Sequence, residues 1–254
     1  MIIRNVMNIQ LRIVTMIVAF LYIVPAYAGV YSKQLCKKEG FSCYQVKRGD
    51  TWNRLIPDSK HQLMVKKLNR TNTHLNTHRI IAMPMETFWK RTLYDFSPLP
   101  YHANTEGQRR VIISIHDHAF GAYDELGRLV KWGPISAGRG YCPDTKSFCN
   151  TARGEFEVYR KGGGGCKSGK YPLETNGGAP MPYCIFFYHG YAMHGSSLPG
   201  HHASHGRVRF YYDHARWSNQ EFTYKGTAVN VVDTLQIIGH VGCLWLKSIF
   251  IIRL

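Results

Sequence analysis

The chain has no Cys-x-x-Cys pair, no His-Glu-x-x-His run and no unbroken block of lysines or arginines. The first two absences argue against a structural zinc site and a zincin-type hydrolase, because each chemistry depends on those ligand spacings. The third leaves positive charge scattered rather than gathered in a basic tail. Carboxylates are scarce: 16 acidic residues face 32 lysines and arginines, for a formal net charge of +16. Gly162–Gly165 follows Arg160-Lys161 but lacks the Lys-Ser/Thr that completes a phosphate-binding loop, so it reads as a mobile loop. The apolar run from Ile13 to Val24 is short for a membrane span.

That run follows Arg4 and Arg12 and ends in Ala26-Tyr27-Ala28, the pattern of a secretory signal over residues 1–28. An exported protein, in the periplasm or cell envelope, is therefore expected. In that compartment a basic surface suits an anionic polymer before nucleic acid. Seven cysteines fit an oxidising environment. Cys36 with Cys43, Cys142 with Cys149 and Cys166 with Cys184 are plausible pairs that leave Cys243 odd, but spacing alone leaves the connectivity open.

Residues 29–43 read as a leader. Residues 44–84 predict a small α+β unit of βααβ order. Tyr44-Gln45-Val46 alternates like a strand, and Gly49-Asp50 marks a turn. Asp50 or Thr51 caps the helix that comes next, a second helix closes near Leu68-Asn69, and Ile80–Met83 runs to Pro84. This unit resembles a LysM module in Tyr44, Val46, Gly49-Asp50-Thr51, Leu68-Asn69, Asn72 and Pro84, although Arg79 stands near the place of the usual glycine. The resemblance implies glycan binding through Gly49, Asp50, Thr51, Asn69 and Asn72. Residues 85–108, with Pro98 and Pro100, read as a linker wrapped on a second domain.

Residues 109–232 read as that second, mainly β domain. Val111–Ile115, a turn at Asp124-Glu125-Leu126-Gly127, Leu129–Trp132, Cys184–Tyr188 and Lys225–Val232 carry the strand signals, with helical character at Asp213–Trp217. Its most informative stretch is Ser204-His205-Gly206-Arg207-Val208-Arg209-Phe210, with His194-Gly195 upstream. Ser136-Ala137-Gly138, Thr151-Ala152-Arg153-Gly154-Glu155-Phe156, Met181-Pro182-Tyr183 and Gly226–Val229 occur in the same order as in the YkuD family of L,D-transpeptidases, which this region resembles. The whole is similar to exported LysM–YkuD proteins. The implied fold is a mainly β YkuD-type catalytic domain preceded by a βααβ module.

The resemblance implies acyl transfer between peptidoglycan stem peptides, with no cofactor. Such chemistry needs a thiolate nucleophile, an imidazole to take its proton and donors for the oxyanion. His194 stands at the general-base position, His205 and Gly206 form the shoulder before the nucleophile, and Gly195, Met181, Tyr183, Ser204 and Arg209 fall at substrate-facing positions. Position 207 is the cysteine of the family; here it is arginine. A guanidinium is donor-only and stays protonated, so it cannot act as the nucleophile. Ser196, Ser204 and Cys184 are poor substitutes. His189, His194, His201, His202, His205 and His214 do not fall into a metal-ligand spacing, and no metal is expected. Two functions are open: an L,D-transpeptidase family member inactivated at Arg207, or a secreted, monomeric peptidoglycan-binding protein contacting glycan strands and stem peptides. The tail 233–254 is apolar and of unassigned role.

Overall fold

The computed structural model describes residues 31–234; the stretch read as a secretory signal and nearly all of the apolar tail lie outside the described residues. No helix among them is long and apolar enough to cross a membrane.

The stretch read as a leader opens with a helix, α1 (Tyr31–Leu35), whose Tyr31 and Leu35 are buried. Strand β1 (Phe41–Gln45) comes next, starting before Tyr44, then α2 (Trp52–Leu55), α3 (Ser59–Leu68) and β2 (Ile80–Pro84). The βααβ order is therefore present. Thr51 and Asp58 cap the two helices, each side chain accepting the N–H of the residue three positions on. β1 and β2 pair antiparallel from Phe41↔Pro84 to Gln45↔Ile80. Val46, Trp52, Ile56, Val65 and Ile81 form the unit's own core.

Residues 85–108 wrap onto the second region through two 3-10 turns. The Trp132 indole donates to Leu93 O at 2.8 Å, and the Tyr123 hydroxyl donates to Pro100 O at 2.8 Å. The strands then run β3 (Arg110–Ser114), β4 (Ala119–Tyr123), β5 (Leu129–Ser136), β6 (Tyr141–Cys142), β7 (Ser147–Phe148), β8 (Gly154–Glu157), β9 (Arg160–Lys161), β10 (Ile185–Tyr188), β11 (Tyr191–Gly195) and β12 (Val208–Phe210). Helix α4 (Tyr212–Trp217) and β13 (Ala228–Val232) close the region. Nine strands form one mainly β sheet in the order β8-β13-β3-β4-β5-β12-β11-β10-β9. Its neighbours are antiparallel except β13 with β3 and β11 with β12. The parallel contact between β11 and β12 matters most, because it sets His194 opposite Arg209.

All three cysteine pairs compatible with the spacing are formed: Cys36–Cys43, Cys142–Cys149 and Cys166–Cys184. Within the glycine run read as mobile, Gly162 is packed against the last of these, while Gly163, Gly164 and Gly165 are exposed. A Cβ at Gly162 would lie 2.6 Å from Cys184 Sγ, so the disulfide requires glycine there.

The two regions share a core. Tyr31, Leu35, Met64, Leu68 and Ala82 pack with Leu99, Ile112, Tyr123, Leu129 and Trp132. At its centre lies Arg70, with relative exposure of only 2 %. Its guanidinium donates to Lys67 O and Leu68 O at the end of α3 and to Asp117 O in the β3–β4 turn. It also lies over the Tyr31 ring at 4.0 Å and the Trp132 ring at 5.1 Å. The helix end, whose last carbonyls lack intrahelical donors, is thereby capped by a cation and fastened to the sheet.

Candidate functional site

His194 lies near the end of β11, and the loop 196–206 carries the chain to Arg207, just ahead of β12. His194 is buried. Its Nδ1–H donates to Gly195 O at 3.0 Å, which leaves Nε2 as the nitrogen with a free lone pair. Burial pushes its pKa down from 6.5 to about 4, with the cations of Arg207 and Arg209 lowering it further. It is therefore a neutral imidazole of the tautomer suited to accept a proton.

The turn before position 207 is built from several of the predicted residues. Gly206 has φ +100°, and a Cβ there would lie 3.0 Å from the Tyr191 ring, so the backbone demands glycine. Thr151 Oγ1 donates to Gly206 O at 2.7 Å and accepts the Gly138 N–H at 2.9 Å, which joins three motifs distant in sequence. Ser204 is buried; its N–H donates to Ala137 O and its carbonyl accepts the Arg139 N–H. His205 Nε2 donates to Asp144 at 2.7 Å, and its ring lies against Tyr171 at 4.7 Å.

Arg207, expected at the nucleophile position, follows this turn. Its Nε donates to Gly190 O at 3.3 Å and its guanidinium lies 5.4 Å from the Tyr171 ring centre. Arg209 donates to Ser197 O at 3.4 Å. Gly195 donates to Pro182 O at 2.9 Å, and a Cβ there would press on the Pro182 ring at 3.2 Å. Tyr183 has φ +56°, and its ring meets Tyr212 edge-on at 5.3 Å. Met181 is a correction. It is buried with Cys184, Phe186 and Ala192, because its N–H is tied to Cys166 O and the disulfide draws the segment inward. It has no face to offer a substrate.

The positions expected to face a glycan divide. Gly49 and Thr51 are exposed, and Asp50 accepts from the Lys47 N–H at 2.7 Å and the Tyr44 hydroxyl at 2.9 Å. Asn69 is a second correction: its buried amide donates to Val65 O and Ala82 O and accepts the Ala82 N–H, so it locks α3 to β2. Asn72 is a third, since its amide is spent on the 196–206 loop, donating to Ser196 O and accepting the Leu198 N–H at 2.8 Å. Arg79 donates to Pro199 O and the Tyr211 hydroxyl to Thr71 O. The βααβ unit thus braces the loop between His194 and Arg207.

Asp144, Tyr171 and Thr151 are the site residues that sequence reasoning did not assign. Thr151 lay within a quoted motif; Asp144 and Tyr171 sit in loops without pattern. Cys142, Asp144 and His205 place ligand atoms within 4.8 Å of one another, but the Cys142 sulfur is in a disulfide and is not a thiolate ligand.

Two further histidines are held neutral by burial. His202 accepts the Ala137 N–H and donates to Ile115 O, and burial lowers its pKa to about 4. His214 accepts from Lys67 Nζ at 2.9 Å, and burial, then Lys67, lowers it to about 3. All three pKa values lie below that of an unfolded histidine, so the unfolded chain binds more protons between pH 6.5 and about 4. Stability should be full above pH 6.5 and fall as pH drops through that window. Each histidine contributes about 1–2 kcal/mol to the loss by pH 5. Urea midpoints at pH 7.5 and pH 5 test this, and equal midpoints would contradict it.

A curled β sheet with a buried histidine and a Ser-His-Gly shoulder on neighbouring strands defines the architecture of a YkuD-type domain. Residues 108–231 match the family model of YkuD, the L,D-transpeptidase catalytic domain. Among solved structures, the L,D-transpeptidase from Xylanimonas cellulosilytica is 24% identical with TM-score 0.48, covering 62% of this chain and 74% of its own. The Stackebrandtia nassauensis L,D-transpeptidase is 15% identical with TM-score 0.41, covering 52% and 58%. The E. faecium catalytic domain is 18% identical with TM-score 0.39, covering 50% and 98%. No curated protein matches the chain.

Proposed function

We propose that this chain is an exported peptidoglycan-binding protein built on an L,D-transpeptidase domain, and that it does not transfer acyl groups. The observation that carries this is Arg207. The imidazole of His194 is neutral with a free Nε2, and the Gly206 turn is intact, yet the group at position 207 has no lone pair to attack a carbonyl. The side chain also fills the space beside Tyr171 and Gly190 that a thiol would leave open. The βααβ order and the exposed turn at Gly49 to Thr51 support a LysM-type glycan contact for the N-terminal unit. The three disulfides and the basic charge suit an oxidising compartment and an anionic wall.

The test is incubation of the full protein with purified peptidoglycan sacculi. The expected result is sedimentation with the sacculi, retained in Arg207→Cys, with no release of D-alanine by the native chain. Release of D-alanine, or failure to sediment, would overturn the reading. Deleting residues 44–84 is not a clean alternative, because Leu68 and Ala82 belong to the shared core.

A further inference from the structure

We infer that Cys142, Cys149, Asp144 and His205 form a zinc site once the Cys142–Cys149 disulfide is reduced, a property independent of the peptidoglycan-binding reading above. Among the described residues, Cys142, Asp144 and His205 are the one group of three or more potential ligands whose donor atoms all lie within 4.8 Å of one another. Cys149 Sγ, bonded to Cys142 Sγ in the oxidised chain, also lies 3.8 Å from the carbonyl oxygen of Ser204, one residue before His205. Two sulfurs, a carboxylate and an imidazole are thus gathered between the β6–β7 hairpin and the turn at 204–206.

The distances suit a metal. Zinc bonds of about 2.3 Å to sulfur and about 2.0 Å to nitrogen and oxygen, at tetrahedral angles, set donor atoms about 3.3–3.8 Å apart. His205 Nε2 and Asp144 Oδ2 stand at 2.7 Å and need only part slightly. The separations of Cys142 Sγ from these two atoms are within 4.8 Å and need close by roughly 1 Å or less. The backbone that presents the groups is held by bonds other than the disulfide. Tyr141 pairs with Phe148 and Cys142 with Ser147, the Cys149 N–H donates to Gly140 O at 2.7 Å, and the Lys146 N–H donates to Pro143 O at 3.3 Å. The Tyr171 ring lies 4.7 Å from the His205 ring and supports its plane.

The donor set selects the ion. Thiolate with imidazole suits zinc, whereas calcium and magnesium take oxygen ligands. Two thiolates and a carboxylate bring one negative charge more than a divalent ion cancels. That surplus suits a neighbourhood with Lys146 in the same hairpin, Arg139 on Ala203 O and Arg207 over the Tyr171 ring. Cys142 and Cys149 are buried, so a reductant reaches them when this edge hairpin opens locally. A dithiol then gives two electrons and two protons to the S–S bond and closes to its own disulfide, leaving two thiols. Zinc displaces both thiol protons to solvent and takes the Nε2 lone pair, the imidazole carrying its proton on Nδ1. The exchange turns a clamp within one hairpin into one that also grips the Ser204–Gly206 turn, so the redox state of the surroundings is read at the shoulder of the candidate site.

The test titrates cobalt(II), a coloured stand-in for zinc, into the full-length protein before and after reduction. The reductant is a water-soluble phosphine, which becomes its oxide with oxygen from water and leaves no competing thiol. The reduced protein should show the visible bands of tetrahedral cobalt with a thiolate-to-cobalt charge-transfer band, both bleached by zinc, and the oxidised protein should show neither. His205→Ala and Asp144→Asn should each weaken cobalt and zinc binding by at least about ten-fold, the lower end of what disturbed metal coordination costs. Those side chains are 22% and 43% exposed, so the two variants spare the core. The other reduced cysteines are present equally in both variants, so the loss assigns the metal to this cluster. Absence of tetrahedral bands in the reduced native chain would overturn the inference, and so would cobalt affinity unchanged in His205→Ala and Asp144→Asn.

Discussion

Arg207→Cys is expected to restore acyl transfer, raising turnover over the native chain by about a million-fold, the size of the loss when a protease nucleophile is removed. The rest of the constellation is in place. His194 Nδ1–H is fixed on Gly195 O, so Nε2 is available to take a thiol proton. The shoulder at Gly206 is held by Thr151 and by its own positive φ, neither of which involves the arginine side chain. Removing Arg207 also removes one of the cations that depress His194. The imidazole becomes a stronger base, and the imidazolium formed would stabilise the neighbouring thiolate. The measurement is exchange of the terminal D-alanine on a stem tetrapeptide by native and variant proteins. A variant as inert as the native chain would show that the brace from the βααβ unit or the Tyr171 wall is also incompatible with turnover.

The second large effect falls on stability. Arg70→Ala should lower unfolding free energy by about 4 kcal/mol. The carbonyls of Leu68 and Asp117 would lose their donors at roughly 1–3 kcal/mol each, while Lys67 O keeps the backbone N–H of residue 70, and the sum is partly offset because a guanidinium no longer has to be desolvated. The space between Tyr31 and Trp132 would also be emptied. Because Arg70 fastens α3 to the β3–β4 turn, the loss should loosen the two regions from each other. Urea unfolding followed by tryptophan fluorescence reads both effects. A change below about 1 kcal/mol would mean that the buried cation costs as much as its hydrogen bonds return.

The strand-rich character of the second region, the helix at 212–217 and the βααβ order were legible in the sequence because alternation, capping residues and turn pairs are local signals. The disulfide pairs were compatible with spacing but not determined by it. What local signals could not carry was the partnership between distant segments. Asn69 and Asn72 look like free polar groups in sequence, yet one locks α3 to β2 and the other holds Leu198, more than a hundred residues away. Arg70 reads as one more surface cation; only the fold shows it to be buried between two aromatic rings. Asp144 and Tyr171 have no sequence pattern because loops tied by disulfides, not periodic elements, bring them to His205. Met181 failed for the opposite reason: its motif position was matched, but the Cys166–Cys184 bridge buries it.

We propose that position 207 alone separates this chain from an acyl-enzyme. Intact mass of the native protein and of Arg207→Cys after incubation with a carbapenem is the decisive measurement, since a thiolate at this site would open the lactam ring and keep the adduct. An added drug mass is expected on Arg207→Cys, with the native mass unchanged. An adduct on the native chain would overturn the inactive reading, because another nucleophile would then have taken the place of the missing cysteine.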